Sequence, residues 1–352
     1  MKVLVTGAHG FLGSHVSEAL LANGDAVRAL VTPWGSDANL AHLMGDERLE
    51  VTRADLTDEA SVRGVCEGVD AVVHAAARVA DWGPWDAFYR TNVVGTRALL
   101  HEAAGARCSR FVFVSSVAVH RYSGFRNADP RTQPRDNVRN AYAYSKILAE
   151  DLVLGEKRLE GVVVRPGLWP FGERDATFGR VANAILTGTL PLVRRGATVI
   201  NTAYAPNFAQ GVVLALHAPA AARHVYVLAD NGMPSWRELF DAIAEAVGGG
   251  SPRLRLPGRP TRALATGVEA TWSTLFPRTE PPVTSYRAGL MLNDVHFSLR
   301  HAVEELGYAP RYTWREGIAR SVAALGGALG AAPGAAPSGG KRQRPGQAGH
   351  KR

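Results

Sequence analysis

The sequence predicts an α/β fold built on a doubly wound parallel sheet, with a smaller α/β lobe toward its C-terminus. Three observations predict this fold. Short apolar, β-branched segments alternate with helical stretches over residues 1–166, which is typical of right-handed strand–helix–strand crossovers. A glycine-rich turn joins the first strand directly to the first helix. From residue 167 to about 325 the alternation loosens, which indicates a second, smaller region.

The first element is an apolar strand at residues 2–6 that leads straight into three glycines spaced three residues apart. In such a turn the first glycine lets the chain reverse, the second lets backbone amides approach a pyrophosphate, and the third lets the helix lie close to the sheet. The N-terminus of the following helix then favours an anion. The turn therefore predicts a dinucleotide site of Rossmann type, with His9 a loop residue rather than a ligand. The turn residues expected around the dinucleotide are Gly7, His9, Gly10, Phe11, Leu12 and Gly13.

The later elements follow from hydrophobic periodicity and from Gly and Pro breaks. Further strands of the sheet are predicted at residues 26–31, 49–53, 71–75, 111–115 and 162–165. Residues 197–230 are expected to return to the sheet through a strand at 198–203, a helix at 206–217 and a strand at 224–228. Helices are also predicted at 177–186 and 235–247, and the stretch to Pro282 is expected to be rich in loops.

Two C-terminal segments carry separate expectations. Residues 264–276 can form a lid or touch a membrane surface, but a buried lobe helix is favoured because Glu269 lies among the apolar residues. Residues 326–352 are rich in Gly, Ala and Pro, contain no acidic residue, and are expected to form a disordered basic tail.

Composition limits the classes of function. The chain has 352 residues, 46% of them hydrophobic and 20% charged, as in an ordinary soluble enzyme. The formal charge of +8 comes mostly from five basic residues of the tail, so nucleic-acid binding is not expected. The two cysteines, Cys66 and Cys108, have no metal-site spacing, and no metal is expected. Because no signal peptide or membrane-spanning run is seen, we expect no integral membrane segment and a cytoplasmic protein.

A second informative stretch joins Tyr142 and Lys146, four residues apart on a predicted helix. A phenol is a poor acid or base at neutral pH, and a nearby ammonium is expected to correct this by lowering the pKa of Tyr142. The fifth strand ends in two serines at the carboxyl edge of the sheet. We expect Ser116 to hydrogen-bond a substrate oxygen while Tyr142 transfers the proton, and Ser115 to have a structural role.

Together these motifs resemble the extended short-chain dehydrogenases/reductases, over residues 1 to about 324. The resemblance is carried by Thr6-Gly-Ala-His-Gly-Phe-Leu-Gly13, Ala54-Asp-Leu56, Val73-His-Ala-Ala-Ala77, Asn92-Val-Val-Gly-Thr96, Val114-Ser-Ser116, Tyr142 with Lys146, and Arg165-Pro-Gly167. It implies that Lys146 binds the nicotinamide ribose and that Asn92 supports a proton-relay water. It also implies cofactor contacts from Asp55, Leu56, Ala75, Ala76, Ala77, Asn92, Tyr142, Pro166 and Gly167.

The choice between NAD and NADP depends on the end of the second strand. Members of the family that prefer NAD carry an acidic residue at this position, and it accepts hydrogen bonds from the ribose hydroxyls. This chain has Val31-Thr32 there instead. The arginine that often follows in NADP-preferring members is absent too, so Thr32, Ser36 and more distant basic residues such as Arg28 or Arg53 remain. We expect an NAD(P)(H) cofactor, with NADP(H) favoured.

The substrate must be inferred from other segments. Val117-Ala118 stands where sugar-nucleotide dehydratases carry an Asp-Glu pair, which disfavours dehydration, and the run 201–207 departs from the pattern of sugar-nucleotide epimerases. Trp82 and Trp85 follow the fourth strand, where they either meet a flat apolar substrate or pack the loop onto the body. These segments, with Tyr204, resemble the 3β-hydroxysteroid dehydrogenase-like and ketone reductase branch.

The sequence therefore predicts an enzyme that interconverts a secondary alcohol and a ketone on a largely apolar small molecule. One alternative is a nucleotide-sugar 4-epimerase with tightly bound NAD. A second is a non-catalytic NAD(P)-binding regulatory protein, which the Tyr142 and Lys146 pair disfavours. By analogy with the family, a homodimer is expected through the helices that carry Asn92 and Tyr142.

Overall fold

The computed structural model describes residues 1–276, 279, 281 and 284–326. Within this part of the chain the strands are β1 (Lys2–Thr6), β2 (Ala26–Val31), β3 (Leu49–Arg53), β4 (Ala71–His74), β5 (Arg110–Val114), β6 (Phe125–Ala128), β7 (Glu160–Pro166), β8 (Trp169–Phe171), β9 (Leu192–Val193), β10 (Thr202–Tyr204), β11 (Val225–Leu228), β12 (Arg255–Leu256) and β13 (Val295–Phe297). The helices are α1 (Phe11–Ala22), α2 (Glu59–Val62), α3 (Trp85–Phe88), α4 (Gly95–Gly105), α5 (Ala141–Gly155), α6 (Ala176–Leu186), α7 (Ala205–His217), α8 (Trp236–Ala246), α9 (Gly258–Leu275), α10 (Ser285–Leu290), α11 (Arg300–Leu306) and α12 (Trp314–Leu325).

Seven strands form the parallel sheet that the sequence predicts, in the order β11-β7-β5-β4-β1-β2-β3. The central strand β1 pairs on both sides, with Val5 opposite Ala29 of β2 and Val73 of β4. Because all seven strands are parallel, their carboxyl ends lie along one edge of the sheet. The strand order reverses direction beside β1, which is where a doubly wound sheet leaves a crevice for a ligand.

Both faces of the sheet are covered, as the almost continuous apolar strands require. On one face, α1 and α7 pack on the sheet around fully buried residues such as Val16 and Phe208. On the other face, α4 and α5 pack on it around Leu99 and Val153. These two layers fix α1 and α5, the helices that the sequence links to cofactor and catalysis.

The C-terminal region adds a smaller core between α6, α8 and α12, with the short parallel pairs β8–β10, β9–β12 and β6–β13 beside it. Its aromatic centre includes Trp169, Phe178 and Trp236. The chain also returns to the main sheet, since β11 pairs with β7 and α7 packs on β5 and β7. A domain boundary at about residue 166, with the lobe running to 325, stays a proposal.

The structure corrects the predicted strand at residues 198–203. Only Thr202–Tyr204 forms a strand, because the amides of Val199 and Ile200 donate instead to Asp294 and to the carbonyl of Pro234. Val199 and Ile200 form only isolated bridges, to Ser235 and to Val295, which do not continue into a ladder, so the strand begins late.

A second correction concerns residues 252–282, which were expected to be rich in loops and to contain a buried helix. The structure forms an 18-residue helix, α9, whose Leu264 and Leu275 are 69% and 65% exposed. The prediction of a buried lobe helix is therefore wrong, because a single polar residue, Glu269, does not reveal which face of a helix is covered. The predicted disordered tail was residues 326–352, and all of it except Gly326 lies outside the described part of the chain.

Candidate active site

The residues that the sequence predicts for cofactor binding and catalysis follow or flank the carboxyl ends of the sheet strands. β1 leads into the glycine turn, β5 ends just before Ser115 and Ser116, and α5 carries Tyr142 and Lys146 beside β5. β3 is followed by Asp55 and Leu56, β4 by alanines 75–77, and β7 ends at Pro166 before Gly167. The topology thus gathers along one edge groups that are far apart in sequence.

The glycine turn fits a dinucleotide. Gly7 has φ of +66°, and a Cβ there would lie 2.7 Å from Cα of Ala76, so the turn and the alanine segment are in close backbone contact. A Cβ on Gly13 would lie 2.2 Å from the carbonyl oxygen of Gly7. No side chain caps α1, which begins after Gly10 and has no acidic residue in its first turn. Its free amides are available to a phosphate group.

The loop after β2 closes over the same turn. The amide of Asn39 donates to the carbonyl of His9 at 2.9 Å, and the guanidinium of Arg53 donates to the carbonyls of Thr32 at 3.1 Å and Gly35 at 3.3 Å. Arg53 also pairs with Asp37. Burial, the largest effect, lowers the pKa of His9, so its imidazole is neutral at pH 7 and supplies no cation here.

Lys146 is buried, at 2% exposure, which is rare for a lysine without a role. Its Nζ donates to the carbonyl of Val114 at 2.8 Å and lies 4.5 Å from the centre of the Phe113 ring. Burial lowers the pKa of Lys146 to about 7, and the charge of Glu150 opposes that shift. The ammonium is thus fixed under the end of β5.

Tyr142 shares a hydrogen bond with Ser116, which lowers the pKa of its phenol. Burial outweighs that bond and, together with the charge of Asp81, raises the pKa of Tyr142 to about 12. The expected lowering by Lys146 is therefore not found, because the ammonium is directed to the carbonyl of Val114 and burial disfavours phenolate. At pH 7 Tyr142 is a protonated phenol.

The two serines that follow β5 have different partners. The Ser115 hydroxyl donates to Oε1 of Glu150 at 2.5 Å, whereas the Ser116 oxygen accepts from the amide of Ala118 and meets Tyr142. Glu150 is fully buried and is held by Arg165, at 2.6 Å, and by Arg135. Burial would raise the pKa of Glu150, but Arg165 and these neighbours hold it below its ordinary value, so the carboxylate stays charged.

Asn92 lies in a π-helical turn, Tyr89–Val94, and is 1% exposed. Its side-chain oxygen accepts from the amide of Arg78 at 2.7 Å, and its nitrogen donates to the Arg78 carbonyl and to the hydroxyl of Ser145. Ser145 in turn donates to the carbonyl of Tyr142 at 2.7 Å. The side chain of Asn92 therefore ties the loop after β4 to α5, and its part in a proton-relay water stays a prediction.

Two tyrosines that the sequence reasoning missed lie beside this cluster. The hydroxyls of Tyr122 and Tyr286 are 3.1 Å apart. Burial raises the pKa of both phenols, and the charge of Asp81, or of Tyr142 when it is ionised, acts in the same direction. Tyr122 follows Ser116 by six residues and could have been found from that nearness, but no local signal links Tyr286 to the site.

The aromatic residues proposed for substrate contact are placed differently from one another. Trp85 stacks on Tyr144 of α5, with ring centres 5.2 Å apart, so it packs the loop onto the body. Trp82 is half-buried in the same loop. Tyr204 is 1% exposed, its ring packs against Phe171, and its hydroxyl donates to Glu173 at 2.6 Å. The structure thus places Tyr204 in the lobe core, because an aromatic residue at the start of α7 fills the space under α12.

Comparison with known proteins decides the family. The model of the NAD dependent epimerase/dehydratase family matches residues 3–229. The chain belongs to that family. The enzyme is of the extended short-chain dehydrogenase/reductase type, as its glycine turn, Tyr142 and Lys146 indicate.

Its relatives include reductases and dehydrogenases. The enzyme is 30% identical to the 2-alkyl-3-oxoalkanoate reductase of Stenotrophomonas maltophilia (strain K279a), over 92% of this chain and 99% of that one. It is 28% identical to a 3 beta-hydroxysteroid dehydrogenase/Delta 5-->4-isomerase of Mycobacterium tuberculosis, over 90% of this chain and 88% of that one. Among solved structures it is similar to DesIV, a dTDP-glucose 4,6-dehydratase from Streptomyces venezuelae with NAD and TYD bound. The TM-score is 0.72 and the identity is 27%, over 92% of this chain and 97% of that one.

A prediction on stability follows from the burial of Lys146. Its pKa falls from 10.5 to about 7, so between those pH values the unfolded chain binds more protons and the native enzyme gains stability as pH rises. At pH 7 the buried amine therefore destabilises the native enzyme, and replacing Lys146 by Met removes this destabilisation. Allowing for the lost bond to Val114, we expect the free energy of unfolding at pH 7 to rise by about 3 kcal/mol.

Thermal melts of the cofactor-free enzyme at pH 7 and pH 9.5 measure this effect. The gain of Lys146→Met over the native enzyme is expected to shrink at the higher pH, and the exposed Lys157→Met serves as a control without effect. An equal Tm difference at both pH values would show that Lys146 is not desolvated.

Proposed function

We propose that the enzyme is an NAD(P)-dependent oxidoreductase that interconverts a secondary alcohol and a ketone on a largely apolar, steroid-like or long-chain β-oxygenated molecule. The observation that carries the proposal is the grouping of Ser116, Tyr142 and buried Lys146 at the sheet edge beside an uncapped glycine turn. The similarity to a ketone reductase and a steroid dehydrogenase supports the same chemistry.

The residues would divide the work as follows. When bound, the nicotinamide supplies or accepts a hydride at C4. Ser116 and Tyr142 would donate hydrogen bonds to the substrate oxygen, and Tyr142 would transfer the proton. Lys146, fixed by Val114, would hold the nicotinamide ribose and contribute positive charge. Asn92 would keep α5 in place through Ser145.

The protonated state of Tyr142 supports ketone reduction as the working direction. A phenol with a pKa of about 12 is a weak acid, but an alkoxide is a still stronger base than a phenolate, so the proton moves downhill as the alcohol forms. The reverse reaction needs phenolate, which burial and Asp81 disfavour. Reduction should therefore proceed at neutral pH and oxidation only at alkaline pH.

The tyrosine pair supports a substrate that carries a second oxygen. When two hydroxyls hydrogen-bond to each other, one hydrogen is shared and the other is left to donate. Tyr122 and Tyr286 could thus offer one hydrogen bond to a carbonyl or hydroxyl close to the reacting ketone. A β-keto ester or β-keto acid has an oxygen in this position.

Phenylalanine at position 122 or 286 should therefore weaken binding selectively. We expect Tyr286→Phe to raise KM for a β-keto ester about tenfold, because a neutral hydrogen bond to a buried group is lost, with kcat nearly unchanged. The KM for a simple ketone of equal chain length should stay the same. Steady-state kinetics with the two substrates measure the difference, and equal effects on both would contradict the assignment.

We also propose NADP(H) as the preferred coenzyme. One support is that no acidic residue stands at the end of β2. The other is Arg53, whose guanidinium donates to the carbonyls of Thr32 and Gly35 and whose side chain is 43% exposed. Such a cation can bind a 2′-phosphate. Arg53→Ala should lower kcat/KM for NADPH about tenfold and leave NADH almost unaffected. An equal fall in kcat/KM for both coenzymes would contradict this, because Arg53 would then only stabilise the loop.

The overall function is tested by assaying steroid, long-chain β-keto and UDP-sugar candidates with each coenzyme, following the near-ultraviolet absorbance of the reduced nicotinamide. Net oxidation of coenzyme with an apolar ketone supports the proposal. Conversion of a UDP-sugar without net absorbance change would instead establish a nucleotide-sugar epimerase. The homodimer and the cytoplasmic location stay predictions.

A further inference from the structure

Helix α9 exposes an apolar face that nothing in the described part of the chain covers. Leu264 and Leu275 are 69% and 65% exposed, and Phe276, just after the helix, is 49% exposed. Positions 264, 268, 271 and 275 recur at helical spacing and so share one side of α9. The groove along this side measures about 500 Å³ and is lined by Leu264, Val268, Thr271, Trp272, Leu275 and Phe276.

The other side of α9 is anchored to the enzyme. Ala265, which lies off that face, is 1% exposed, and α9 packs against α10. α10 carries Tyr286, whose hydroxyl meets Tyr122 near Tyr142. The apolar face therefore belongs to a helix pair that reaches the candidate active site.

An uncovered apolar face of this kind is uncommon on soluble monomers and marks a surface for interaction. The face offers leucine, valine, phenylalanine and tryptophan but only one hydroxyl, that of Thr271. A specific protein interface normally adds several hydrogen-bonding groups to its apolar centre. A lipid surface requires none.

The charges around α9 point to the kind of lipid. Residues 248–284 contain five arginines and two glutamates, with neither lysine nor aspartate. Arg253 and Arg255 are exposed just before the helix begins. Basic residues beside an apolar helix face are attracted to anionic headgroups while the apolar side chains enter the acyl boundary.

From these observations we infer that α9 binds the surface of an anionic lipid bilayer through the face formed by Leu264, Val268, Thr271, Leu275 and Phe276. No helix among the described residues is long and apolar enough to cross a membrane. Binding through this face of α9 brings α10 and Tyr286 close to the bilayer, where an apolar molecule dissolved in lipid can pass to the site. The inference does not depend on the proposed reaction.

Flotation of the full-length enzyme with liposomes tests this inference. Vesicles of phosphatidylcholine alone are compared with vesicles in which one third of the lipid is phosphatidylglycerol. We expect binding to the anionic vesicles, weakened by high salt, and a loss of about tenfold or more when Leu264 and Leu275 are both replaced by Glu. The matched control replaces Met44 and Val303, which are 48% and 51% exposed elsewhere on the surface, by Glu and should bind like the native enzyme.

A third variant separates α9 from the basic tail. In it the five basic residues Lys341, Arg342, Arg344, Lys351 and Arg352 are replaced by Gln, and vesicle binding should persist. Binding that is lost in this variant but kept in the Leu264 and Leu275 variant would overturn the inference. So would a native enzyme that ignores both vesicles but forms a dimer that Leu264→Glu dissociates in sedimentation, because the face would then bind a second copy.

Discussion

Replacing Tyr142 by Phe is expected to lower kcat for ketone reduction about 10³-fold while changing the affinity for coenzyme little. The substitution removes only the hydroxyl, and a positioned general acid typically contributes 10²–10⁴-fold. Ser116 would remain to polarise the ketone, so some activity should survive. Single-turnover reduction of a β-keto ester, with coenzyme affinity measured separately, gives both quantities.

Tyr144→Phe is the matched control for this experiment. Tyr144 lies on the same helix and stacks on Trp85, so its ring matters for packing but its hydroxyl has no proposed part in catalysis. It should retain nearly native kcat. If Tyr142→Phe kept more than about a tenth of native activity, another group would have to supply the proton and the assignment would fail.

Gly13→Ala is expected to weaken coenzyme binding about 100-fold or more. The added Cβ would lie 2.2 Å from the carbonyl oxygen of Gly7 and 2.7 Å from its carbon, so the turn must move away from α1. Loss of two hydrogen bonds from the turn amides to the charged pyrophosphate, at about 1.5 kcal/mol each, would weaken binding about 100-fold. Fluorescence titration with NADPH and NADH measures the change, and circular dichroism verifies that the sheet has formed.

Gly105→Ala tests whether the effect is specific to the turn. Gly105 ends α4, and a Cβ there meets no atom within 4 Å, so coenzyme affinity should be unchanged. Native affinity in Gly13→Ala would mean that the turn does not hold the pyrophosphate.

The parallel sheet could be predicted because its signals are local. A strand such as β4 has three apolar residues before His74, and several of the turns carry a glycine or a proline, so short windows of sequence were sufficient. The glycine turn and the pair Tyr142 and Lys146 were found for the same reason, since their spacing is fixed within one turn or one helix.

The properties that the sequence did not reveal depend on tertiary contacts. Tyr286 reaches Tyr122 across 164 positions of sequence, and Tyr204 turns into the lobe core because Phe171 and Glu173 lie beside it. The pKa of Tyr142 depends on how deeply α5 is buried, which spacing alone does not give. The exposed face of α9 likewise depends on what the rest of the lobe leaves uncovered.

Hydride transfer from the coenzyme to the ketone can be followed directly with a deuteride on C4 of the reduced coenzyme during turnover of an apolar β-keto ester. We expect one deuterium on the carbinol carbon of the alcohol product for each coenzyme oxidised, and a transfer about 10³-fold slower in Tyr142→Phe. Reduced coenzyme that keeps its deuterium in the presence of the β-keto ester, in an enzyme whose bound oxidised NAD epimerises a UDP-sugar without net consumption, would contradict this assignment.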